Sequence, residues 1–135
     1  MNPIDIKVIP HSEQRYPTVG DYWNDGEHIR FRVSKMGDWR YEFLVAFHEL
    51  IEWSLCKQRH ITIPSIDAFD KAYERAREQK VRAPCGCTPT EESEPGFDVH
   101  APYYHEHVWA TRFERVMALL LRVNWKHYAH KVTTL

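Results

Sequence analysis

A mostly apolar run from Phe43 to Leu55 constrains this chain more than any other segment, because it also carries three titratable side chains. His48, Glu49 and Glu52 fall where the pattern predicts a largely buried helix. An unpaired charge that leaves water costs on the order of several kcal/mol, so these groups need partners. A divalent metal ion is the simplest single partner for all three.

Length and composition predict one globular domain over residues 1–135. The chain is 43% hydrophobic and 27% charged, which allows one buried core. A net charge of −1 gives no basic field, so no nucleic-acid partner is expected. The sequence has no signal-peptide pattern or membrane-spanning run, and three cysteines fit a reducing compartment. We therefore expect a cytoplasmic protein without a membrane partner, and the oligomeric state stays open.

Hydrophobic patterning predicts an α+β fold, with a small antiparallel sheet of two or three strands packed on three main helices. Ile29, Phe31 and Val33 alternate with polar residues, as in a strand with one buried face. Asp25-Gly26 precedes them and indicates a hairpin turn, because glycine tolerates positive φ. An earlier alternating strand begins at Ile4.

The helices follow the strands. Asp38 is predicted to cap a helix over residues 39–57, and others are expected over residues 64–80 and 102–122, with a short fourth helix after them. A long loop over residues 81–101 separates the second helix from the third. One side of the third helix is expected to face the core, and it carries Trp109, Phe113, Val116 and Leu120.

The spacing of polar residues predicts a metal site between the helices. His48 and Glu52 are four residues apart, so both can grip one ion, while Glu49 is rotated by about 100° and could act on a metal-bound water. His107 is the preferred third ligand, with Glu114 on the same helix face as its orienting partner. A neutral core histidine bonded to a glutamate is the alternative.

Two aspartates on the second helix offer other ligands. Asp67 and Asp70 are three residues apart, and either could replace His107 in the site. Asp67 could equally complement the helix dipole and pair with Lys71. Cys85 and Cys87 are separated by one residue, whereas the cysteines of structural zinc sites are more often separated by about two to four. The pair is therefore only a weak indication of a zinc site.

The strand that ends at Val33 and the helix with His48-Glu49-x-x-Glu52 resemble small zincin-like metalloproteases. The family motif is His-Glu-x-x-His, with both histidines on zinc and the glutamate as general base. The resemblance implies that His48 is a ligand and Glu49 the base. Glu52 takes the place of the second histidine and is a ligand by position only.

A second resemblance is to the all-α nucleoside-triphosphate pyrophosphatases, which bind magnesium through two acidic pairs on successive helices. Glu49-x-x-Glu52 and Asp67-x-x-Asp70 stand in that order here. This resemblance implies that Glu49, Glu52 and Asp70 hold Mg²⁺ or Mn²⁺ against substrate phosphates. The chain is also similar in style to uncharacterised phage and prophage proteins, which implies no activity.

Together these patterns predict a metal-binding protein, with a divalent-metal-dependent hydrolase of zincin-like architecture as the preferred function. Zinc is expected before magnesium or manganese, and the substrate, a small molecule or a peptide, is not identified. A nucleoside-triphosphate pyrophosphohydrolase is the second hypothesis. The third is a non-enzymatic interaction protein in which the polar residues form only a hydrogen-bonded network.

Overall fold

A computed structural model describes residues 2–135 and confirms the α+β class. Three strands form one sheet, and they are β1 (Ile4–Ile9), β2 (Gly20–Asn24) and β3 (Ile29–Ser34). Three longer helices and one short helix follow, and they are α1 (Trp39–Gln58), α2 (Ile63–Gln79), α3 (Tyr104–Leu120) and α4 (Trp125–Thr133). None of the helices within the described residues is both long enough and apolar enough to cross a bilayer.

The sheet is mixed, so the prediction of an antiparallel sheet is wrong for one strand. β3 lies in the centre, with β2 antiparallel on one side and β1 parallel on the other. The predicted turn joins β2 to β3, where Asp25 accepts hydrogen bonds from two backbone N–H groups and Gly26 has a φ of +92°. Alternation identifies a strand but not the direction of its neighbour, and residues 10–19 carry the chain from β1 to the far edge.

Helix α1 lies against the sheet and against α3, and it begins where the sequence predicts. The Asp38 side chain accepts a hydrogen bond from the backbone N–H of Arg40, which caps the helix. Trp53 packs edge-on against Phe31 of the central strand, with ring centroids 5.7 Å apart. The buried side of α1 includes both apolar and titratable residues, namely Leu44, Val45, His48, Glu52 and Cys56.

Helix α3 is rotated relative to its predicted orientation. The side expected in the core is exposed, with exposed fractions of 47% for Trp109, 48% for Phe113, 56% for Val116 and 69% for Leu120. The buried side instead carries Glu106, His107, Ala110, Glu114 and Ala118. The two alanines allow α1 to approach closely, and His107 and Glu114 find hydrogen-bonding partners on α1, so the apolar stripe is left outside.

The long loop between α2 and α3 packs back against both of these helices. Residues Pro95–Phe97 form a short 3-10 turn that contacts α3. Cys85 and Cys87 are joined in a disulfide, so neither presents a free thiolate, and the hypothesis of a zinc pair there is not supported. Cys56 is the buried free cysteine among residues 2–135.

Candidate metal centre

Three buried side chains converge where α1 crosses α3. His48 Nε2 lies 3.2 Å from Glu52 Oε2, and His107 Nδ1 lies 2.7 Å from the same oxygen. The two imidazole nitrogens are 3.2 Å apart. Donor atoms that share one ion at about 2.1 Å are themselves about 3.0 to 3.4 Å apart in octahedral or tetrahedral sites. These three side chains could therefore hold a metal ion after a small adjustment.

The outer nitrogen of each imidazole faces a carboxylate. His48 Nδ1 lies 2.9 Å from Glu114 Oε1, and His107 Nε2 lies 3.0 Å from Glu94 Oε2. An ionised carboxylate only accepts hydrogen bonds, so each outer nitrogen carries a proton and donates it. In the neutral imidazoles, the inner nitrogens would then offer lone pairs to the centre. Carboxylate partners of this kind orient most metal-bound histidines.

Two tyrosines hold the carboxylates of the centre. The Tyr22 hydroxyl donates to Glu52 Oε1 at 2.9 Å, which leaves Oε2 to face the imidazoles. The Tyr128 hydroxyl donates to Glu114 Oε2. The expectation that Glu114 orients His107 is wrong, because Glu114 bonds to His48 instead. Glu94 of the long loop takes that role for His107.

Hydrogen bonds within the centre favour the charged forms of its side chains, whereas burial favours the neutral forms. Burial disfavours the imidazolium, yet hydrogen bonds to Glu52 and Glu94 raise the pKa of His107 to about 9. Burial likewise disfavours the carboxylate of Glu52, yet its bonds with His107 and His48 lower its pKa to about 2. The pKa of His48 is raised well above its usual value by Glu114 and Glu52, again against burial. A metal ion must therefore displace protons in order to bind.

Glu49 projects from α1 into the neighbouring cavity. Its side chain is half-buried, and within residues 2–135 it has no hydrogen-bonding partner. Burial, with the negative charge of Glu52, raises the pKa of Glu49 well above its usual value. A Cβ atom added to Gly20 would lie only 2.6 Å from Glu49 Oε1, so glycine at that position makes room for the carboxylate.

Asp67 and Asp70 lie outside the three-residue cluster. Asp67 Oδ2 is 3.6 Å from Arg15 Nη2, and Asp70 Oδ1 accepts a hydrogen bond of 2.5 Å from the Tyr103 hydroxyl. Burial raises the pKa of Asp70 to about 7. The structure brings His48, Glu52 and His107 together and leaves both aspartates on the wall of the adjacent cavity.

That cavity has a volume of about 640 Å³ and opens beside the centre. His48, Glu49, Glu52 and His107 all line it, which places the converging donor atoms at its wall. Its size suits a small-molecule ligand or one side chain of a larger substrate. A ligand in this cavity could reach the cluster of His48, Glu52 and His107 together with Glu49.

Several residues of the site carry no signal in the sequence. Tyr22 and Tyr128 occur in patterns typical of core positions, and Glu94 belongs to an acidic loop segment that reads as surface. Gly96 packs against the His107 ring, where an added Cβ would lie 2.3 to 2.6 Å from three ring atoms. The Pro95-Gly96 pair indicates a turn, but nothing nearby in sequence links that turn to His107.

Similarity to known proteins adds no further constraint on the site. Comparisons of the chain with protein-family models, with curated proteins and with solved structures find no match. The functional assignment therefore depends on the geometry of the buried cluster.

Proposed function

We propose that this protein binds one divalent metal ion through His48 Nε2, Glu52 Oε2 and His107 Nδ1, and that it is a metal-dependent hydrolase. The observation that carries the proposal is the arrangement of the two imidazoles. Each has its outer N–H held by a carboxylate, and both inner nitrogens converge on one oxygen of Glu52. This is the usual environment of metal-bound histidines.

A network of hydrogen bonds alone accounts less well for the centre. Three contacts join His48 Nε2, His107 Nδ1 and Glu52 Oε2. If Glu52 is ionised and these three atoms share one proton, two lone pairs face each other across at least one of the contacts. If both inner nitrogens are protonated and donate to Glu52 Oε2, the two N–H groups face each other between His48 and His107, whose nitrogens are 3.2 Å apart. A cation at the centre makes all three contacts favourable. This argument favours a metal site over the purely structural hypothesis.

The donor set favours zinc over magnesium. Two imidazoles and one carboxylate are a ligand set that catalytic zinc sites use, with a further position open to water, and non-haem iron(II) uses the same set. Magnesium prefers oxygen ligands. The pyrophosphohydrolase hypothesis needs Glu49, Glu52 and Asp70 on one ion. Asp70 instead bonds to Tyr103, so that hypothesis has less support.

The hydrolase part of the proposal depends on Glu49. A metal ion in the centre would supply Lewis acidity and a bound water of lowered pKa. Glu49 follows His48 in sequence, lines the same cavity and has its carboxylate free of hydrogen bonds within residues 2–135. A carboxylate in that position is suited to accept a proton from a water nucleophile.

Metal content tests the first part of the proposal. The untagged protein, purified without chelators and then incubated separately with zinc, iron(II) and manganese, should retain about one equivalent of one of these metals by mass spectrometry. His107→Ala should lose it. His105→Ala is the matched control, because His105 lies on the same helix but is exposed, and it should retain the metal. Absence of bound metal from the wild-type protein in all three incubations would refute the proposal.

Activity of Glu49→Gln tests the second part. The variant should keep its metal and its fold, since Glu49 is not one of the proposed ligands, but should lose turnover of any peptide or ester substrate found by screening. Retention of full activity would remove Glu49 as the base while leaving metal binding intact.

A further inference from the structure

Strand β1 is a free edge of the sheet, and its backbone groups are arranged for a further strand. Among residues 2–135, β1 is hydrogen-bonded to β3 on one side and to no strand on the other. The carbonyls of Pro3 and Ile9 accept hydrogen bonds from β3 and the residue after it, at 2.9 and 2.8 Å. Odd-numbered residues of β1 therefore direct their backbone groups toward β3, and even-numbered residues direct theirs outward.

The side chains of those even-numbered residues form an uncovered apolar strip. Ile4, Ile6 and Val8 are in register with Ile29, Phe31 and Val33 of β3, so they project on the core side of the sheet. They are nevertheless 44%, 45% and 48% exposed, whereas their three partners are buried. The core face of the sheet thus extends beyond the helices that cover it. A strip of this kind beside free backbone groups is a potential pairing edge.

We propose that β1 pairs antiparallel with β1 of a second copy of this chain, about a two-fold axis through Ile6. In this register Ile6 lies opposite Ile6 of the second copy, and Ile4 lies opposite Val8 of the second copy. These even-numbered residues direct their backbone groups at each other, so six hydrogen bonds form. The two three-stranded sheets become one sheet of six strands.

Charge on the other face of the strand contributes to the choice of register, although Asp5 already accepts hydrogen bonds from Arg30 and Arg32 of its own chain, at 2.7 and 2.8 Å. Asp5 lies opposite Lys7 of the second copy, in the pair without backbone hydrogen bonds, where side chains approach most closely. Lys7 is exposed and has no ion-pair partner among residues 2–135. A shift of two residues in one direction places Lys7 opposite Lys7 of the second copy. The opposite shift places Asp5 opposite Asp5 of the second copy. The first shift brings two lysines together, which disfavours it. In the second shift each Asp5 keeps its ion pairs with Arg30 and Arg32. That register is disfavoured because Val8 then lies opposite Asn2 of the second copy.

The apolar pairs add to this selectivity, because the same register buries the strip on both chains. Pro3 and Pro10 flank the strand and limit the pairing to the residues between them. An isologous contact of this kind closes after two copies and does not propagate into a filament. The partner that fits this edge best is therefore a second copy of the chain.

Sedimentation equilibrium of the full chain over a wide concentration range tests the proposal. We expect a mass that approaches twice 16.1 kDa as concentration rises. Ile6→Pro should remain monomeric with an unchanged circular dichroism spectrum, because its N–H points away from β3 and is not needed in the monomer. A monomeric wild-type protein would overturn the proposal, as would a dimer that survives Ile6→Pro, which would point to another face such as the exposed side of α3.

Charge reversal provides the matched control. Lys7→Glu places a second carboxylate against Asp5 of the second copy and should weaken the dimer about tenfold. Asp5→Lys should weaken it at least as much, because the facing lysines add to the loss of the ion pairs that Asp5 makes with Arg30 and Arg32 of its own chain. Its fold is therefore checked by circular dichroism before mixing. An equimolar mixture of the two variants should regain dimerisation, because each then offers the charge that the other lacks. Failure of the mixture to pair, while both variants keep their fold, would refute this register.

Discussion

Gly96 offers a way to disturb the proposed metal centre without changing a ligand. Its backbone does not need glycine for conformational reasons, because its φ is outside the left-handed region. The side chain of Gly96→Ala would nevertheless place a Cβ 2.3 Å from His107 Cγ, whereas ordinary contacts begin near 3.4 Å. The imidazole ring, or the loop that carries residue 96, must therefore move by about 1 Å.

That displacement has two separable consequences. Overpacking is expected to lower the free energy of unfolding by roughly 1–3 kcal/mol. The metal affinity should fall by about 10- to 100-fold, comparable to the loss of an orienting partner, because His107 Nδ1 moves away from Glu52 Oε2 and its bond to Glu94 is disturbed.

Competition with a chromophoric chelator measures the affinity, and thermal denaturation of the metal-free protein measures stability. Gly37→Ala is the control, since its added Cβ would contact nothing but its φ of +80° disfavours alanine. It should lower stability and leave metal affinity unchanged. If Gly96→Ala instead bound metal as tightly as the wild type, the reasoning about His107 would be refuted.

Three further predictions address the surroundings of the centre. Chelation with EDTA should lower the thermal midpoint of the metal-loaded wild type and leave that of His107→Ala unchanged in calorimetry. Tyr22→Phe should lower the free energy of unfolding by roughly 1–3 kcal/mol in urea denaturation, because Glu52 Oε1 loses its donor while staying buried. Asp70→Asn should raise the free energy of unfolding above that of the wild type by roughly 1–3 kcal/mol at pH 8 but not at pH 4. Equal stability of Asp70→Asn and the wild type at both pH values would contradict the last prediction.

The sign of the Asp70 effect follows from its raised pKa. Burial moves that pKa from 3.8 to about 7, so the folded protein retains a proton that the unfolded chain has lost. Stability therefore falls as pH rises from about 4 to about 7, and it is constant above that interval. Asparagine still accepts the Tyr103 hydrogen bond but carries no charge, so it removes this dependence.

The elements of the fold were predictable because each has a local signal. The Asp38 cap, the turn at Asp25-Gly26 and the alternation of β3 all arise from interactions within a few residues. The pairing direction of β1 was not predictable, since it depends on how residues 10–19 cross the sheet. The exposed side of α3 was wrongly assigned because apolar residues were expected inside, whereas His107 and Glu114 had partners on α1 that no local pattern shows.

The same distinction explains which parts of the candidate site the sequence revealed. The i,i+4 pair of His48 and Glu52 is a local feature of one helix, and both residues lie in the cluster. The groups that complete the centre come from a strand, a loop and the last helix. Tyr22 donates to Glu52, Glu94 accepts from His107 and Tyr128 donates to Glu114, and no spacing rule connects these three residues to α1. A buried polar centre needs every group satisfied, so these distant residues are as necessary to it as the helix pair. We therefore expect the arrangement of the centre to be more sensitive to substitution of Glu94 or Tyr128 than to changes in the exposed stripe of α3.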